Sequence, residues 1–80
     1  MSESTEVVVI RGEFITLGQL LKVVGEIDWG GGAKTYLAEN DVYINGELDD
    51  RRGRKVRGGD VVDLPGGKIL YIQSDEELVS

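Results

Sequence analysis

One stretch of the sequence decides the fold: Ala33-Lys34-Thr35-Tyr36-Leu37-Ala38-Glu39-Asn40-Asp41-Val42-Tyr43-Ile44-Asn45-Gly46. Its first half predicts a short helix over residues 32–39 that buries Ala33 and Leu37, because residues four apart share one helix face. Its second half alternates as a strand over residues 42–44 and then reaches Asn45-Gly46. That pair is the strongest short hairpin signal, since both central residues of a type I′ turn need positive φ. The stretch therefore predicts helix, strand and hairpin in that order.

The residues before this stretch predict a strand and another helix. A β-branched run favours a strand over residues 6–11. Thr16 and Gln19 have the spacing of a capping box, and an apolar face follows at positions i, i+3, i+4 and i+7. We therefore expect a helix that begins at Thr16 and stops at Gly25. The later helix should stop at Asn40, which tolerates a left-handed backbone.

The residues after the hairpin predict the rest of a sheet. In order, they are a return strand at 47–48, a polar loop at 49–59, a strand at 60–64, a turn at 65–67 and a strand at 68–73. The expected class is α+β, with two short helices packed on a small, mostly antiparallel sheet. We expect one domain over residues 6–73, with a flexible acidic N-terminal tail at 1–5 and an acidic C-terminal tail at 74–80.

The charge distribution gives the main functional clue. The formal net charge of the 80 residues is -6, yet five of the nine basic residues fall within positions 51–57. These five residues are Arg51, Arg52, Arg54, Lys55 and Arg57. A phosphate-bearing partner would gain charge pairing, counterion release and bidentate hydrogen bonds from such a cluster. The alternative is a solvated loop that keeps a small domain soluble.

The start of the second predicted helix is a further candidate site. Its free N–H groups and positive dipole end would attract an anion, and Lys34 in its first turn would add a full charge. Gly32 and Thr35 lie in the same turn. A nucleotide-binding P-loop is strongly disfavoured, because Gly31 stands where that motif requires lysine. Taken alone, the stretch is better explained as a tight turn between helices with a solvated lysine, and the anion site gains support only in combination with the loop at Arg51 to Arg57.

Composition argues against several classes of function. The chain has no cysteine and no histidine, so we expect no catalysis, no metal site and no cofactor. The acidic residues have solvated settings, although Asp49 and Asp50 are placed to restrain the neighbouring arginines. Core packing is the favoured role for most of the five aromatic residues. The longest apolar run, residues 7–10, is far too short to span a bilayer, so we expect a cytoplasmic protein without a membrane partner.

Three motifs carry a family resemblance. Ala33-Lys34, the segment Asn40–Gly46 and Gly59-Asp60-Val61-Val62 together resemble the S4-type RNA-binding domain, which is named after a ribosomal small-subunit protein. A longer match over residues 14–64 is most similar to the stand-alone bacterial S4-like proteins of the YaaA/YbcJ type. The sequence departs from the family at Trp29-Gly30, where a serine-arginine pair is common, and at Asn40, where glycine is common.

The resemblance implies a fold and a partner. The implied fold is the alpha-L arrangement, in which two helices and the following hairpin form one face against structured RNA. The implied RNA contacts are Lys34 and the basic loop 51–57, while Asn45 and Gly46 are mainly structural. Such a face would read the shape and the backbone of RNA more than base edges.

The leading hypothesis is a non-catalytic, monomeric protein that binds structured RNA, foremost ribosomal RNA or ribosomal particles. Its RNA-binding residues would be Lys34, Thr35, Arg51, Arg52, Arg54, Lys55 and Arg57, with Gly32 and Asn45 as secondary candidates. The alternative is a protein-interaction adaptor that uses its acidic surface or an exposed strand edge. A duplex-DNA binder is disfavoured, because neither predicted helix carries the basic, polar face of a major-groove reader.

Overall fold

A computed structural model describes residues 4–29 and 31–77. The elements in chain order are β1 (Ser4–Ile10), β2 (Phe14–Thr16), α1 (Leu17–Val23), α2 (Gly32–Glu39), β3 (Tyr43–Ile44), β4 (Glu47–Leu48), β5 (Lys55–Arg57), β6 (Val61–Leu64) and β7 (Lys68–Ser74). Two short 3₁₀ turns follow β6 and β7, at Pro65–Gly67 and Asp75–Glu77. The predicted α+β class is confirmed.

The strands form one five-stranded sheet and one separate pair. The order in the sheet is β1-β7-β6-β3-β4, and β2 pairs with β5 outside it. Only the pairing of β1 with β7 is parallel among the described strands. The mostly antiparallel sheet that the sequence predicts is therefore confirmed, with β1 and β4 at its edges.

Both helices pack on one face of the sheet. Leu17, Leu20 and Leu21 of α1 and Ala33 and Leu37 of α2 are buried against the inner face. A helix of seven residues is too short to be stable alone in water, so α1 depends on this packing. Burial of each leucine side chain contributes about 2 kcal/mol. The inner face of the sheet supplies most of the remaining core, and Val42 and Val56, which lie outside that sheet, complete it; the sheet residues are Val8, Ile10, Ile44, Val62, Leu64, Leu70 and Ile72.

The local signals at the ends of α1 are confirmed. The Thr16 side chain accepts a hydrogen bond from the Gln19 N–H, and the Gln19 side chain accepts one from the Thr16 N–H. Gly25 follows the helix with φ of 83°. The end of α2 differs from expectation, because Asn40 is extended rather than left-handed. Its side-chain amide and its backbone N–H instead both donate to the Tyr36 carbonyl, which closes the helix by a different route.

The outer face of the sheet exposes apolar side chains. Val7, Val9, Tyr43, Leu48 and Tyr71 alternate with the buried residues and are all solvent-exposed. The expectation that most aromatic residues pack in the core is therefore wrong. Phe14 and Trp29 are also exposed, and only Tyr36 packs against the core. The alternation of β-strands places Tyr43 and Tyr71 on the face that has no helix layer.

The ordered segment extends beyond the predicted strand ends at both termini. β1 begins at Ser4 rather than at residue 6, since Ser4 pairs with Lys68 and Thr5 with Ile69. At the other end, Ser74 is buried and donates a hydrogen bond to the Gly12 carbonyl, while the Asp75 carboxylate accepts from the Gly12 N–H. Ser74 and Asp75 are thus fixed to the β1–β2 turn rather than placed in a solvated tail, and the exposed Glu76 donates its N–H to the Ser74 hydroxyl. The remaining tail residues, 1–3 and 78–80, lie outside the described residues.

The predicted loop at 49–59 contains a strand. β5 pairs with β2 in antiparallel register, with Val56 opposite Ile15. The segment Lys55–Arg57 alternates polar and apolar residues, and Val56 is fully buried. Three residues between glycine-bearing turns give a weak strand signal, so the pairing depends on a partner far away in the sequence.

In the described part of the chain, neither helix has the length and apolar character needed to cross a membrane.

Candidate nucleic-acid interface

The basic loop is held by the amino end of α1. The backbone N–H of Leu17 donates to the Arg54 carbonyl at 2.8 Å, and the N–H of Gly18 donates to the Arg52 carbonyl at 2.8 Å. Helix amino ends leave N–H groups without intrahelical partners. In α1 these groups bind the main chain of the loop. This bonding fixes the backbone positions from which the Arg52 and Arg54 side chains extend.

Gly18 is the point at which the loop, α1 and α2 meet. A Cβ atom at this position would lie 3.3 Å from the Ala33 Cβ, 3.3 Å from the Arg52 carbonyl oxygen and 3.5 Å from the Arg52 Cβ. Such close approach leaves little room for a side chain, so glycine permits the contact. The first turn of α2 and the tip of the basic loop are therefore neighbours on one side of the molecule. We call this contact of Gly18, Ala33 and Arg52 the Gly18 junction.

Asp49 fixes the conformation of the loop from inside. Its carboxylate accepts four hydrogen bonds, from the Arg51 N–H (2.9 Å), Arg51 Nε (3.1 Å), Arg51 Nη2 (2.8 Å) and Arg54 Nη1 (2.8 Å). The Asp49 N–H donates to the Val42 carbonyl, which ties the same residue to the start of the hairpin. The predicted restraint of the arginines by Asp49 is confirmed, whereas its predicted solvated setting is wrong, because Asp49 is only 7% exposed. Asp50 is exposed.

The pairing changes the titration of Asp49. Hydrogen bonds from the Arg51 side chain, with further contributions from the Arg51 backbone and Arg54, lower the pKa of Asp49 well below its usual range and outweigh its desolvation. The same contact raises the pKa of Arg51. Asp49 therefore remains ionised at neutral pH, and its charge partly neutralises two of the five clustered cations, Arg51 and Arg54.

The other predicted cations differ in the contacts that they form within the protein. Arg52 and Lys34 are exposed, and neither side chain forms an ion pair within residues 4–29 and 31–77. The Lys55 ammonium lies 4.9 Å from the centroid of the Phe14 ring, a cation–π distance. Arg57 is exposed, and its backbone N–H donates to the Asp60 carboxylate.

The remaining candidates lie at two places. Gly32 and Thr35 are in the first turn of α2, where Thr35 is exposed. Asn45 lies instead at the hairpin turn with φ of 54°. Its amide group donates to the Asp60 carboxylate at 3.0 Å and accepts from the Val61 N–H at 2.9 Å. Both polar ends of the Asn45 side chain thus bind within the protein, as a structural role requires, and Asn45 is not part of the Gly18 junction.

The orientation of α2 is fixed by contacts behind its first turn. The Tyr36 hydroxyl donates to the Glu26 carboxylate at 2.8 Å, and the other Glu26 oxygen lies 3.5 Å from the Lys68 ammonium of β7. Burial, together with the hydrogen bond and the charge of Glu26, raises the pKa of Tyr36. These contacts tie α2 to the inter-helix segment and to the sheet. The amino end of α2 itself has no side-chain cap.

Sequence reasoning missed two residues of this region. Lys22 lines the groove that also contains Gly18, Ala33 and Arg52. It lies four residues after Gly18 on α1, so helical spacing alone would have placed it on the same face. Trp29 is 67% exposed beside the start of α2, and no local pattern distinguishes an exposed tryptophan from a buried one.

Comparison with known proteins agrees with this architecture. Residues 8–72 match the family model of the S4 domain. Over 57 residues, the chain is 53% identical to the probable ribosome maturation protein RlbA of Bacillus subtilis (strain 168), and the aligned region covers 71% of this chain and 80% of that protein. The family-model match over residues 8–72 includes both helices, the hairpin and the Gly18 junction. The chain belongs to the S4 domain family.

Proposed function

We propose that this protein is a non-catalytic RNA-binding protein that contacts structured RNA, foremost ribosomal RNA, through the first turn of α2 and the basic loop. The Gly18 junction carries the proposal, because it makes Arg52 a neighbour of the turn that holds Lys34. The similarity to a probable ribosome maturation protein supports ribosomal RNA as the partner. In this proposal the protein acts as a monomer in the cytoplasm.

The ion pairs divide the basic loop into two groups. Arg51 and Arg54 hold Asp49 and so maintain the shape of the loop. Arg52, with Lys34, is free to bind phosphate oxygens, and Lys55 and Arg57 extend the positive surface along β5. Phosphate contacts by arginine and lysine provide affinity that falls with salt. Replacement of Arg54 would therefore affect folding as well as RNA binding, whereas replacement of Arg52 would affect binding alone.

A matched pair of double variants tests the proposal. Lys34→Gln with Arg52→Gln removes two positive charges at the Gly18 junction, and Thr5→Glu with Gln73→Glu adds two negative charges on the outer sheet face. Both variants change the net charge by the same amount. Binding of a fluorescently labelled, structured fragment of ribosomal RNA is measured by anisotropy over a range of salt concentrations.

We expect the junction variant to weaken binding and to reduce the slope of log K against log salt by about 1.5, since each lost phosphate contact contributes roughly 0.7–0.9. The outer-face variant should retain nearly all of the slope. Equal losses in the two variants would mean that only net charge matters and would contradict the proposed face. Unchanged binding in the junction variant would also contradict it.

One observation favours a second candidate function, a protein-interaction adaptor. The outer face of the sheet exposes apolar side chains on several strands, among them Val7, Leu48 and Tyr71, and exposed apolar patches commonly mark protein contacts. A pull-down with and without ribonuclease separates the two functions. Protein partners that persist after digestion of RNA and are lost on Tyr71→Glu would favour the adaptor.

A further inference from the structure

Trp29 is the only tryptophan in the chain and is 67% exposed. Tryptophan is highly buried on average, because its ring presents a large apolar surface. The residue lies between the two helices, immediately before the first turn of α2. The proposed phosphate contacts of Lys34 and Arg52 do not involve the Trp29 ring. Its exposure therefore needs an explanation of its own.

The indole ring lies against the backbone of Gly31. Three of its carbon atoms, Cε3, Cζ3 and Cη2, occupy the space that a Cβ atom on Gly31 would need, and Nε1 is 4.0 Å from the Cβ position of Gly32. The Trp29 carbonyl accepts a hydrogen bond from the Gly32 N–H at 2.9 Å. The ring is thus supported on one side by a glycine backbone, and most of its surface remains open to solvent.

The surroundings of the ring favour a nucleotide over an apolar protein surface. Asp28 and Gly31 flank it in the chain and are exposed, so its described chain neighbours on either side add no apolar side chain of the kind that forms the centre of a protein interface. It lies instead at the uncapped amino end of α2, beside the turn that contains Lys34 and that reaches Arg52 through Ala33. Aromatic rings next to phosphate-binding cations are the usual platforms for unpaired bases.

We propose that Trp29 forms a stacking site for one unpaired base of the bound RNA, while the first turn of α2 and Arg52 hold the adjoining phosphates. This inference rests on the proposed function and adds a base-binding site to a surface that otherwise contacts the RNA backbone. Because one side of the ring lies on Gly31, the site takes a single base. Every base has an aromatic face, so the site should tolerate many sequences but require an unpaired nucleotide.

The intrinsic fluorescence of Trp29 reports on this site directly. The probes are an RNA hairpin with an unpaired loop, a blunt RNA duplex of the same length, and inorganic polyphosphate, which carries the charges without bases. We expect the hairpin to quench the fluorescence strongly, and the duplex and the polyphosphate to leave it nearly unchanged. Equal quenching by polyphosphate would overturn the inference, since it would show a response to charge alone.

Three variants complete the test. Trp29→Ala should weaken hairpin binding about tenfold and leave duplex binding unchanged, whereas Trp29→Phe should retain most of the affinity. Gly31→Ala keeps the indole but displaces it from the Gly31 backbone. Its affinity for the hairpin should therefore lie between those of Trp29→Ala and Trp29→Phe. Thermal unfolding should be nearly equal in all of them, because Trp29 and Gly31 are both exposed.

The outcomes separate this inference from the proposed function. If the hairpin binds without quenching and Trp29→Ala binds as tightly as the native chain, the stacking site is wrong and the RNA-binding proposal stands. If none of the RNA probes or the ribosomal fragment binds, both proposals are wrong.

Discussion

The amino end of α1 is closed by internal partners, whereas the amino end of α2 has no side-chain cap. In α1, Thr16 accepts from the Gln19 N–H, and the loop carbonyls of Arg52 and Arg54 accept from Gly18 and Leu17. In α2, glycine stands at the N-cap position, and the N–H of Gly32 binds the Trp29 carbonyl.

The difference shows how one kind of helix end serves two purposes. The first four N–H groups of any helix lack intrahelical partners and carry the positive end of the helix dipole. At α1 these groups organise the basic loop, so they are not available to an outside anion. At α2 the N–H of Gly32 binds the Trp29 carbonyl, and no side chain caps the N–H groups of the first turn, which lie beside Lys34 and next to that loop. A structural helix end therefore holds the cations in place next to a second end that is open to a ligand.

The largest effect is expected from filling the Gly18 junction. Gly18→Val would push α1 away from Ala33 and from the Arg52 carbonyl, both 3.3 Å from the position of the added Cβ. We expect the free energy of unfolding to fall by about 2–3 kcal/mol. Chemical denaturation measures the change.

Gly53→Ala is the matched control for this variant. Gly53 lies in the basic loop next to Arg52, and nothing is within 4 Å of its Cβ position. Its free energy of unfolding should stay within about 0.5 kcal/mol of the native value. Equal stability of the Gly18→Val variant and this control would mean that the junction is not closely packed.

Removal of the charge that organises the loop should have the next largest effect. Asp49→Asn weakens the hydrogen bonds to Arg51 and Arg54, so the free energy of unfolding at neutral pH should fall by about 2 kcal/mol. Asp50→Asn removes the same charge at an exposed neighbour and should cost less than about 0.5 kcal/mol. Denaturation of the three proteins over a range of pH measures both quantities.

The stability difference between the native chain and Asp49→Asn should depend on pH with a defined sign. The pKa of Asp49 is lower in the folded chain than its ordinary value of 3.8. Its contribution to stability is therefore fully present above that value and is lost as the pH falls toward the lowered pKa of the folded chain. A difference that grows on acidification would contradict the assigned ion pairs.

The smallest effect is expected from removing the cap of α1. Thr16→Ala removes the side-chain acceptor for the Gln19 N–H and should lower the free energy of unfolding by about 1 kcal/mol. Thr35→Ala makes the same substitution inside the first turn of α2, where Thr35 serves no capping role, and should leave stability nearly unchanged. Equal losses in thermal unfolding would remove the proposed contrast between the two helix ends.

Local sequence signals predicted much of this fold. The capping box at Thr16, the positive-φ turn at Asn45 and the apolar spacing of α2 each depend on residues a few positions apart, and all are confirmed. The pairing of β2 with β5 was missed, because strands of three residues are specified by a partner some forty positions away and not by their own pattern.

The candidate site was predicted in composition but not in detail. The sequence showed that positive charge is concentrated at residues 51–57. It did not show that Arg51 and Arg54 pair with Asp49 while Arg52 forms no ion pair among the described residues, because this difference depends on the burial of Asp49 against the hairpin. The exposure of Trp29 likewise depends on tertiary placement. Lys22 could have been found from helical spacing, had Gly18 been identified as a contact point.

The contrast between the helix ends is tested most directly by backbone amide NMR during titration with the RNA hairpin. The account predicts the largest shift changes at the N–H groups of Ala33, Lys34 and Arg52, with small changes at Leu17 and Gly18, whose N–H groups stay bound to the loop. Changes concentrated at Leu17 and Gly18, or on the outer sheet face at Val7 and Tyr71, would contradict it.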